Sequence, residues 1–520
     1  MTEAGRKKEH GAVRRNAGAG AAAAPWLVCA AGYAAARAAS AHGAYIPSGT
    51  ILIFAALVLY FLFFKKSGML LDPAALFSLS WVGGSGLSAM KLSRLQTDWV
   101  SETWICLFLT WFCFAAGYLF LGETLTKRKK ADAPESEISE SEALKSGAPE
   151  SRMPDSEASK SGPQKTGVFK NGAQRKHAGI PERLGISRVS FCALILTAVS
   201  VIAFAVEAVL LSYIPLFTTD TPHAYSYFHI SGLHYFTVSC VLVPSLAWLG
   251  AQEAAKRAER LILLSAFGIS FLIPILCVSR FQMIFAAALL VFTAVLKKDP
   301  KPSDLVSGKR PLLIAGGFLV LGAGYLFLTV ERAHSVSYLN GIFEMKDPET
   351  PIWITQPYMY VANNFDNLNC LIRDLPAHTH GLRMLFPVFA LSGLKFLDPS
   401  LVSFPLYVTK EELTTVTLLY DAYYDFGLFG TAAFSAVLGF AMAFLAFFVK
   451  SGYSVAEHRE AQHDPVIYLL ASQLCFYCLF AFFTTWYSNP ATWFYLAVTA
   501  ACAWYCRRPF RSSVSNHCVC

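Results

Sequence analysis

The chain alternates long apolar segments with short polar ones over most of its length. Runs of roughly 18 or more apolar residues are long enough to cross a bilayer as helices. We predict eleven such spans, at residues 47–64, 73–90, 103–121, 187–211, 233–249, 260–278, 281–296, 312–330, 426–449, 466–485 and 491–506. Residues 25–41 are only weakly hydrophobic and carry Arg37, so a twelfth span, an interfacial helix and a targeting-like leader all stay open there.

The composition supports the same class of protein. Hydrophobic residues make up 55% of the 520 residues and charged residues only 15%, whereas soluble domains carry about a quarter charged residues. We therefore predict an all-α, polytopic membrane protein with about 11–12 transmembrane helices. The formal net charge of +8 does not indicate a nucleic-acid partner, because the positive residues cluster beside the ends of spans.

The positive residues also predict an orientation. Cytoplasmic loops carry an excess of Lys and Arg. Alternating the spans places six groups on one side: Lys65 and Lys66, Lys127 to Lys130, Lys256 with Arg257 and Arg260, Lys297, Lys298 and Lys301, Lys450, and Arg507, Arg508 and Arg511. Both termini are then cytoplasmic. Lys91 and Arg94, in a short loop on the outer side, are the exception.

These patterns divide the chain into seven parts. Residues 1–45 form a basic, Ala-rich N-terminal segment, and residues 46–122, 187–330 and 426–506 hold the spans. Residues 123–186 are rich in Ser, Glu, Lys, Gly and Pro and cannot bury a core, so we predict a disordered cytoplasmic insert that serves as a passive linker or a regulatory tether. Residues 331–425 form a large extracytoplasmic loop, and residues 507–520 form a cytoplasmic tail.

The loop at 331–425 is where we expect the chemistry. Its 95 residues contain no convincing span, and a loop of that length between membrane helices is typical of a functional segment. It is net acidic, with six Lys or Arg against eleven Asp or Glu, so an anion bound there would be held by particular arginines. Residues 384–397 are apolar but too short to cross, and are expected to re-enter the membrane or lie on its surface.

Four arginines are candidates for binding a phosphate or pyrophosphate. Arg280 joins two spans with almost no loop, and such a charge either snorkels to headgroups or acts as an anion clamp. A planar, permanently charged guanidinium suits the second role. Arg332, Arg373 and Arg383 lie along the large loop, where ordinary salt bridges are the alternative.

The loop also holds candidate bases and sugar-binding residues. His378 and His380 invite a metal interpretation, but two ligands at i and i+2 share a face only in extended chain and no familiar metal spacing accompanies them. The other interpretations are a general base or sugar-binding histidine, and a structural surface pair. Between residues 352 and 372, aromatic side chains alternate with amides, which suits sugar rings or an interfacial aromatic belt.

The exit from the loop carries two carboxylates and two glycines. Asp421 and Asp425 are four residues apart and would share one face of a helix at the membrane boundary. Gly427 and Gly430 are expected to allow close packing of that helix against a neighbour.

Five motifs lie between about residues 46 and 508: Ile214-Pro-Leu-Phe, Gly232-Leu-His-Tyr-Phe, Ser279-Arg280, Tyr360-Val-Ala-Asn-Asn-Phe-Asp-Asn and Tyr423-Tyr-Asp-Phe-Gly-Leu-Phe-Gly. In combination, they resemble the motifs of the Wzy-type polymerases of oligosaccharide repeat units. The insert and the Ala-rich leader depart from the family pattern.

The resemblance implies a metal-independent glycosyltransferase with a GT-C-like fold and no cofactor. It would polymerise undecaprenyl-pyrophosphate-linked oligosaccharides at the outer face of a bacterial plasma membrane, in contact with membrane lipids, and it allows a chain-length regulator and a flippase as partners. The predicted roles are pyrophosphate binding by Arg280, Arg332, Arg373 and Arg383, base catalysis by one of His378, His380, Asp366 and Asp425, and sugar binding by Trp353, Tyr360, Asn364 and Tyr424.

Two other functions stay open. One is an O-antigen-ligase-like transferase that moves finished glycan to another acceptor. The other is a flippase or transporter of lipid-linked oligosaccharide, although no repeat of spans is visible and charges within spans are few (Arg37 and Glu207).

Overall fold

Helices make up the regular structure, as the apolar pattern predicts. The computed structural model describes residues 23–131, 186–218, 224–298, 336–456 and 465–507. Within these ranges there is no β-strand, and the only extended pairing is an isolated bridge between Ser93 and Met345. The prediction of an all-α, polytopic membrane protein is confirmed at this level.

The longer helices follow one another along the chain with these bounds: α1 (23–41), α2 (Tyr45–Ser67), α3 (Pro73–Ala89), α4 (Ser101–Ala131), α5 (Arg188–Leu211), α6 (Leu233–Glu253, with a 3-10 turn at Ser239–Leu242), α7 (Arg257–Leu276), α8 (Arg280–Lys298), α9 (Val336–Phe343), α10 (Ile352–Asp374), α11 (Tyr420–Ala456), α12 (Val466–Leu479) and α13 (Pro490–Arg507). Short helical turns lie at Phe386–Leu391 and Leu394–Leu397.

Seven of these helices are long and apolar enough to cross a membrane: α2, α4, α5, α6, α7, α8 and α11. The predicted spans at 73–90, 466–485 and 491–506 correspond to three helices outside these seven: α3, with 17 residues, α12, with 14 residues, and α13, with 18 residues. The predicted span at 312–330 lies outside the described residues. The total of eleven or twelve spans therefore stays a prediction.

Helix α1 packs into the bundle. Tyr33, which is 5% exposed, shares a hydrogen bond of 3.1 Å between its hydroxyl and Ser85 Oγ of α3. Ser48 Oγ of α2 donates to the carbonyl of Ala36 at 2.8 Å. These buried contacts hold α1 against α2 and α3, and a membrane span at residues 25–41 stays a prediction.

Helix α3 lies at the centre of the bundle. Its N-cap, Asp72, accepts hydrogen bonds from the backbone amides of Ala74 and Ala75, which fixes where the helix begins. Small residues let its neighbours approach closely: a Cβ on Gly86 would lie 2.8 Å from a carbonyl oxygen of α2, and one on Gly84 would lie 2.6 Å from the ring of Phe365 in α10. Helix α3 therefore positions α10, the main helix of the large loop.

Helices α4 and α11 pack in parallel through two glycines. A Cβ on Gly117 would lie 2.3 Å from the carbonyl oxygen of Ala436, and one on Gly439 would lie 2.1 Å from that of Phe114. The prediction that Gly427 and Gly430 allow close helix packing is wrong. The space at Gly427 is taken by His378, and that at Gly430 by Ala422 of the same helix, across a kink where Gly427 has φ 59° and ψ −145°.

The boundary of the predicted insert needs a correction. Residues 123–131 continue α4 as helix, so they are not part of a disordered segment. The apolar part of α4 is followed, within the same helix, by a polar C-terminal end rich in Lys and Arg. Residues 132–185 lie outside the described part of the chain, as do residues 1–22, 331–335 and 508–520.

Lysines near the C-terminal ends of three helices line a common cavity. Lys66 of α2, Lys127 of α4 and Lys450 of α11 line one cavity, and we call this region the lysine end. Asp425, near the start of α11, is 25 residues from Lys450 in sequence, which corresponds to on the order of 40 Å along the helix. The positive-inside rule predicts that the lysine end is cytoplasmic and the start of α11 is not.

Candidate functional site

Asp366 of α10 binds the loop between α3 and α4. The side chain is 1% exposed, and its carboxylate accepts hydrogen bonds from Ser88 Oγ (2.7 Å), Lys91 Nζ (2.5 Å), Gln96 Nε2 (2.6 Å) and Trp99 Nε1 (2.9 Å). A buried carboxylate with four donors is well satisfied. Its contacts hold α10 against the bundle, and its role as a catalytic base stays a prediction.

Lys91 accounts for one of the two exceptions in the charge pattern, whereas Arg94 is exposed. Lys91 is 3% exposed, and its ammonium group also lies 4.5 Å from the ring centroid of Trp99. Burial lowers the pKa of Lys91 more strongly than the Asp366 carboxylate raises it. A lysine paired inside the protein adds no net positive charge to an outer loop, so it does not oppose the orientation that the other lysines predict.

The asparagines of α10 hold a neighbouring segment in place. Asn367 Nδ2 donates to the carbonyls of Leu413 (2.7 Å) and Thr415 (2.8 Å). Asn364 accepts from Thr415 Oγ1 at 2.6 Å and donates to the carbonyl of Tyr360 at 2.7 Å. Both polar atoms of Asn364 are thus hydrogen-bonded to protein. The side-chain amides of Asn364 and Asn367 hold residues 409–415 against α10.

The Arg280 cavity has a volume of about 460 Å³ and lies between α8, α9, α10 and residues 412–415. Arg280, the first residue of α8, is 6% exposed, and its Nη2 lies 3.4 Å from the hydroxyl of Tyr360. Glu412, an exposed residue, also lines the cavity. The structure therefore brings together two predicted residues, Arg280 from one hairpin and Tyr360 from the large loop.

Asn363 gives this cavity a polar group with no protein partner. The residue is 1% exposed, and its Oδ1 accepts a hydrogen bond of 2.7 Å from Thr409 Oγ1. Its Nδ2 has no partner among the described residues. An unsatisfied buried amide is unusual and costs about 1–3 kcal/mol, so a ligand that accepts this hydrogen bond would be stabilised.

The Arg383 cavity has a volume of about 400 Å³. Arg383 Nε donates to Asp421 Oδ1, and the guanidinium carbon lies 4.6 Å from the ring centroid of Tyr424 and 5.2 Å from that of Tyr420. Burial by itself would lower the pKa of Arg383. The Asp421 carboxylate raises that pKa by more than burial lowers it, so the guanidinium stays protonated. Other lining residues are Phe386, Phe404, Thr485, Ser488 and Asn489.

Asp425 fixes the turn that carries Arg383. Its carboxylate is fully buried and accepts hydrogen bonds from Thr379 Oγ1, from the amide of Arg383 at 3.1 Å and from the amide of Met384 at 2.8 Å. Asp421 and Asp425 therefore both contact Arg383, which agrees with the prediction that they share one face of the helix. These contacts position the guanidinium, and Asp425 as a base stays a prediction.

The His378-Thr379-His380 motif docks on the start of α11. His378 Nδ1 lies 3.2 Å from the carbonyl oxygen of Tyr424, and the His380 amide donates to the carbonyl of Asp425 at 3.1 Å. The His378 ring occupies the space beside Gly427. In the described part of the chain no group of three or more His, Cys, Asp or Glu side chains is arranged to hold a metal.

The two cavities are neighbours. The ring of Phe483 stacks on Phe281 at 5.2 Å between centroids and lies 6.4 Å from Tyr360, beside the Arg280 cavity. The next residue, Thr484, lines the Arg383 cavity. Residues 404–415 likewise begin at one cavity and end at the other.

Two further predicted residues, Arg373 and Trp353, lie apart from the cavity linings. Arg373 is exposed and pairs with the adjacent Asp374 at 2.7 Å. Trp353 is 66% exposed near the start of α10. Arg332 lies outside the described residues. Of the four predicted arginines, the structure thus places Arg280 and Arg383 in cavities.

Several residues of the site escaped sequence reasoning. Asn363 stood in the amide run but had no feature that separated it from its neighbours. Glu412 was one of eleven acidic residues in the loop. Lys91 did carry a signal, since a lysine that violates the charge pattern is a candidate for internal pairing.

The site combines cations, phenols, amides and hydroxyls in cavities of a size usual for small-molecule binding, about 300–1,000 Å³. Such a set can bind an anion and, beside it, a polar ring compound. Comparisons with family models, with curated proteins and with solved structures find no match for this chain.

Proposed function

We propose that this protein is a metal-independent glycosyltransferase that polymerises undecaprenyl-pyrophosphate-linked oligosaccharides at the outer face of a bacterial plasma membrane. One observation carries the proposal: two neighbouring cavities, each with a largely buried arginine beside tyrosines, lie at the opposite end of α11 from the lysine end. A polymerase needs room for two lipid-linked molecules on that side.

The arginines suit the leaving group. In the proposed reaction the bond between the sugar carbon and the pyrophosphate oxygen breaks, and an acceptor hydroxyl forms the new bond to that carbon. Negative charge develops on the departing pyrophosphate, and a preorganised cation stabilises it. Arg280 lies in the cavity that also offers Tyr360 and Asn363, so we place the pyrophosphate and its first sugar there.

The acceptor hydroxyl must lose a proton as it attacks. Asp366 and Asp425 accept four and three hydrogen bonds from protein donors, respectively. Glu412 is exposed and lines the Arg280 cavity, which supports its carboxylate as the group that accepts that proton. The other two predicted bases, His378 and His380, line neither the Arg280 cavity nor the Arg383 cavity, so we favour Glu412 as the base.

An apolar surface beside the Arg383 cavity suits the lipid tail. Leu385, Val388, Leu391, Phe396 and Leu397 are 47–83% exposed, and Phe386 between them lines the cavity. So much exposed apolar side chain marks a membrane or lipid contact. It agrees with the expectation that residues 384–397 lie on the membrane surface, and we propose that a polyprenyl chain runs along it.

Arg280→Gln tests this function in cells. We expect long polymer to disappear and single lipid-linked units to accumulate, because the loss of one stabilising donor costs on the order of 10²–10³ in rate. Gel separation of polymer and lipid-linked intermediates measures both. Arg94→Gln, an equivalent change at an exposed arginine in the loop between α3 and α4, is the control and should leave polymer length unchanged.

Two outcomes would contradict the proposal. Polymer of normal length in the Arg280→Gln strain would remove Arg280 from the reaction. Polymer of normal length that is no longer attached to its final acceptor would instead indicate a ligase-like transferase.

A further inference from the structure

We propose that the cavity at the lysine end binds one anionic phospholipid from the adjacent leaflet. The cavity has a volume of about 430 Å³ and lies between the ends of α2, α4 and α11. It is separated from the Arg280 and Arg383 cavities by most of the length of α11, and the inference does not rest on the proposed function.

The mouth of this cavity is basic. Lys66, Lys127 and Lys450 all line it, and all three side chains are exposed. Lys450 Nζ donates to the carbonyl of Ser67 at 2.5 Å, which anchors the end of α11 to the end of α2. Basic pockets between transmembrane helices at the cytoplasmic side are typical binding sites for anionic lipid headgroups.

The acidic groups nearby do not cancel this charge. Asp72 is 1% exposed, and its carboxylate is occupied by two backbone amides at the start of α3 and by the Tyr118 hydroxyl at 2.7 Å. Glu123 lies 3.6 Å from Lys66, and both side chains are more than half exposed. An exposed pair of this kind contributes little to stability, so a phosphate can displace it.

The walls of the cavity are apolar. Phe63, Leu119, Ala443 and Phe447 line it below the lysines. On the same helices, Phe120 and Phe444 are 68% and 55% exposed, as expected for side chains that face lipid. A charged mouth continuous with an apolar wall fits a phosphate headgroup with its acyl chain, and a free phosphate would leave the apolar part unfilled.

Lipid retention measures this site directly. The purified protein is placed in mixed micelles of phosphatidylglycerol and phosphatidylcholine, and bound lipid is counted by native mass spectrometry. We expect the wild-type protein to retain phosphatidylglycerol preferentially. The Lys66→Gln/Lys127→Gln variant should retain about thirtyfold less, because each of the two lysines near the headgroups contributes about 1 kcal/mol.

Two further variants make the result specific. Lys297→Gln/Lys298→Gln removes two charges from the end of α8, where they lie over Trp248, and should retain lipid like the wild type. Ala446→Phe fills the apolar part of the cavity and should lower retention with all lysines present. Equal losses in both lysine variants, an unaffected Ala446→Phe protein, or no preference for phosphatidylglycerol in the wild type would each overturn the proposal.

Discussion

Arg383→Ala is expected to destabilise the protein by about 3–5 kcal/mol, because removing one partner of a buried ion pair leaves an uncompensated charge. The charge is that of Asp421, which is 4% exposed and paired with the Arg383 guanidinium. The substitution also removes the cation–π contacts between the Arg383 guanidinium and the rings of Tyr420 and Tyr424. Thermal unfolding of the detergent-solubilised protein measures the loss.

A second change separates stability from function at this position. Arg383→Leu combined with Asp421→Asn removes both charges, so most of the lost stability should return. Polymer should stay absent, because the Arg383 cavity has then lost its cation. If the double variant regained normal polymer, Arg383 would serve the fold alone and would not belong to the site.

Gly427→Ala is expected to have the second large effect. Gly427 has φ 59° and ψ −145°, a conformation that residues with a side chain adopt only at a cost of about 1–3 kcal/mol. A Cβ there would also lie 2.9 Å from His378 Nε2, so the histidine ring must move. Because the His378 turn leads to Arg383, we expect both a lower unfolding temperature and weaker polymerisation.

The control is another glycine-to-alanine change in a helix. Gly268 of α7 has no atom within 4 Å of the position of its missing Cβ, so Gly268→Ala should be neutral or slightly stabilising. Adding His378→Ala to Gly427→Ala should recover part of the stability, since it removes the clash but not the backbone strain. A Gly427→Ala protein as stable as the wild type would contradict this account of the kink.

The sequence predicted the parts of the site that depend on local spacing. Asp421 and Asp425 meet the same arginine because four residues make about one turn of a helix. The apolar runs identified α2, α4, α5, α6, α7, α8 and α11 because length and hydropathy alone determine a candidate span. In both cases the information lies within a few turns of the chain.

Contacts between distant residues could not be predicted in this way. Lys91 and Asp366 are 275 residues apart, and neither residue's neighbours indicate the pairing. Gly117 and Gly439 resemble the many other glycines of the chain until α4 and α11 are placed side by side. Arg280 was singled out by its cost at the membrane boundary, but its neighbour Tyr360 follows only from the fold.

The most direct test of the proposed function uses purified protein in detergent, supplied with undecaprenyl-pyrophosphate-linked repeat units. Detergent micelles have no membrane gradient and no two sides, so transport cannot contribute. The polymerase account predicts glycans of two, three and more repeat units with release of undecaprenyl pyrophosphate, and no elongation by the Arg280→Gln protein. Repeat units that stay single in the presence of wild-type protein that is folded and binds them would contradict it.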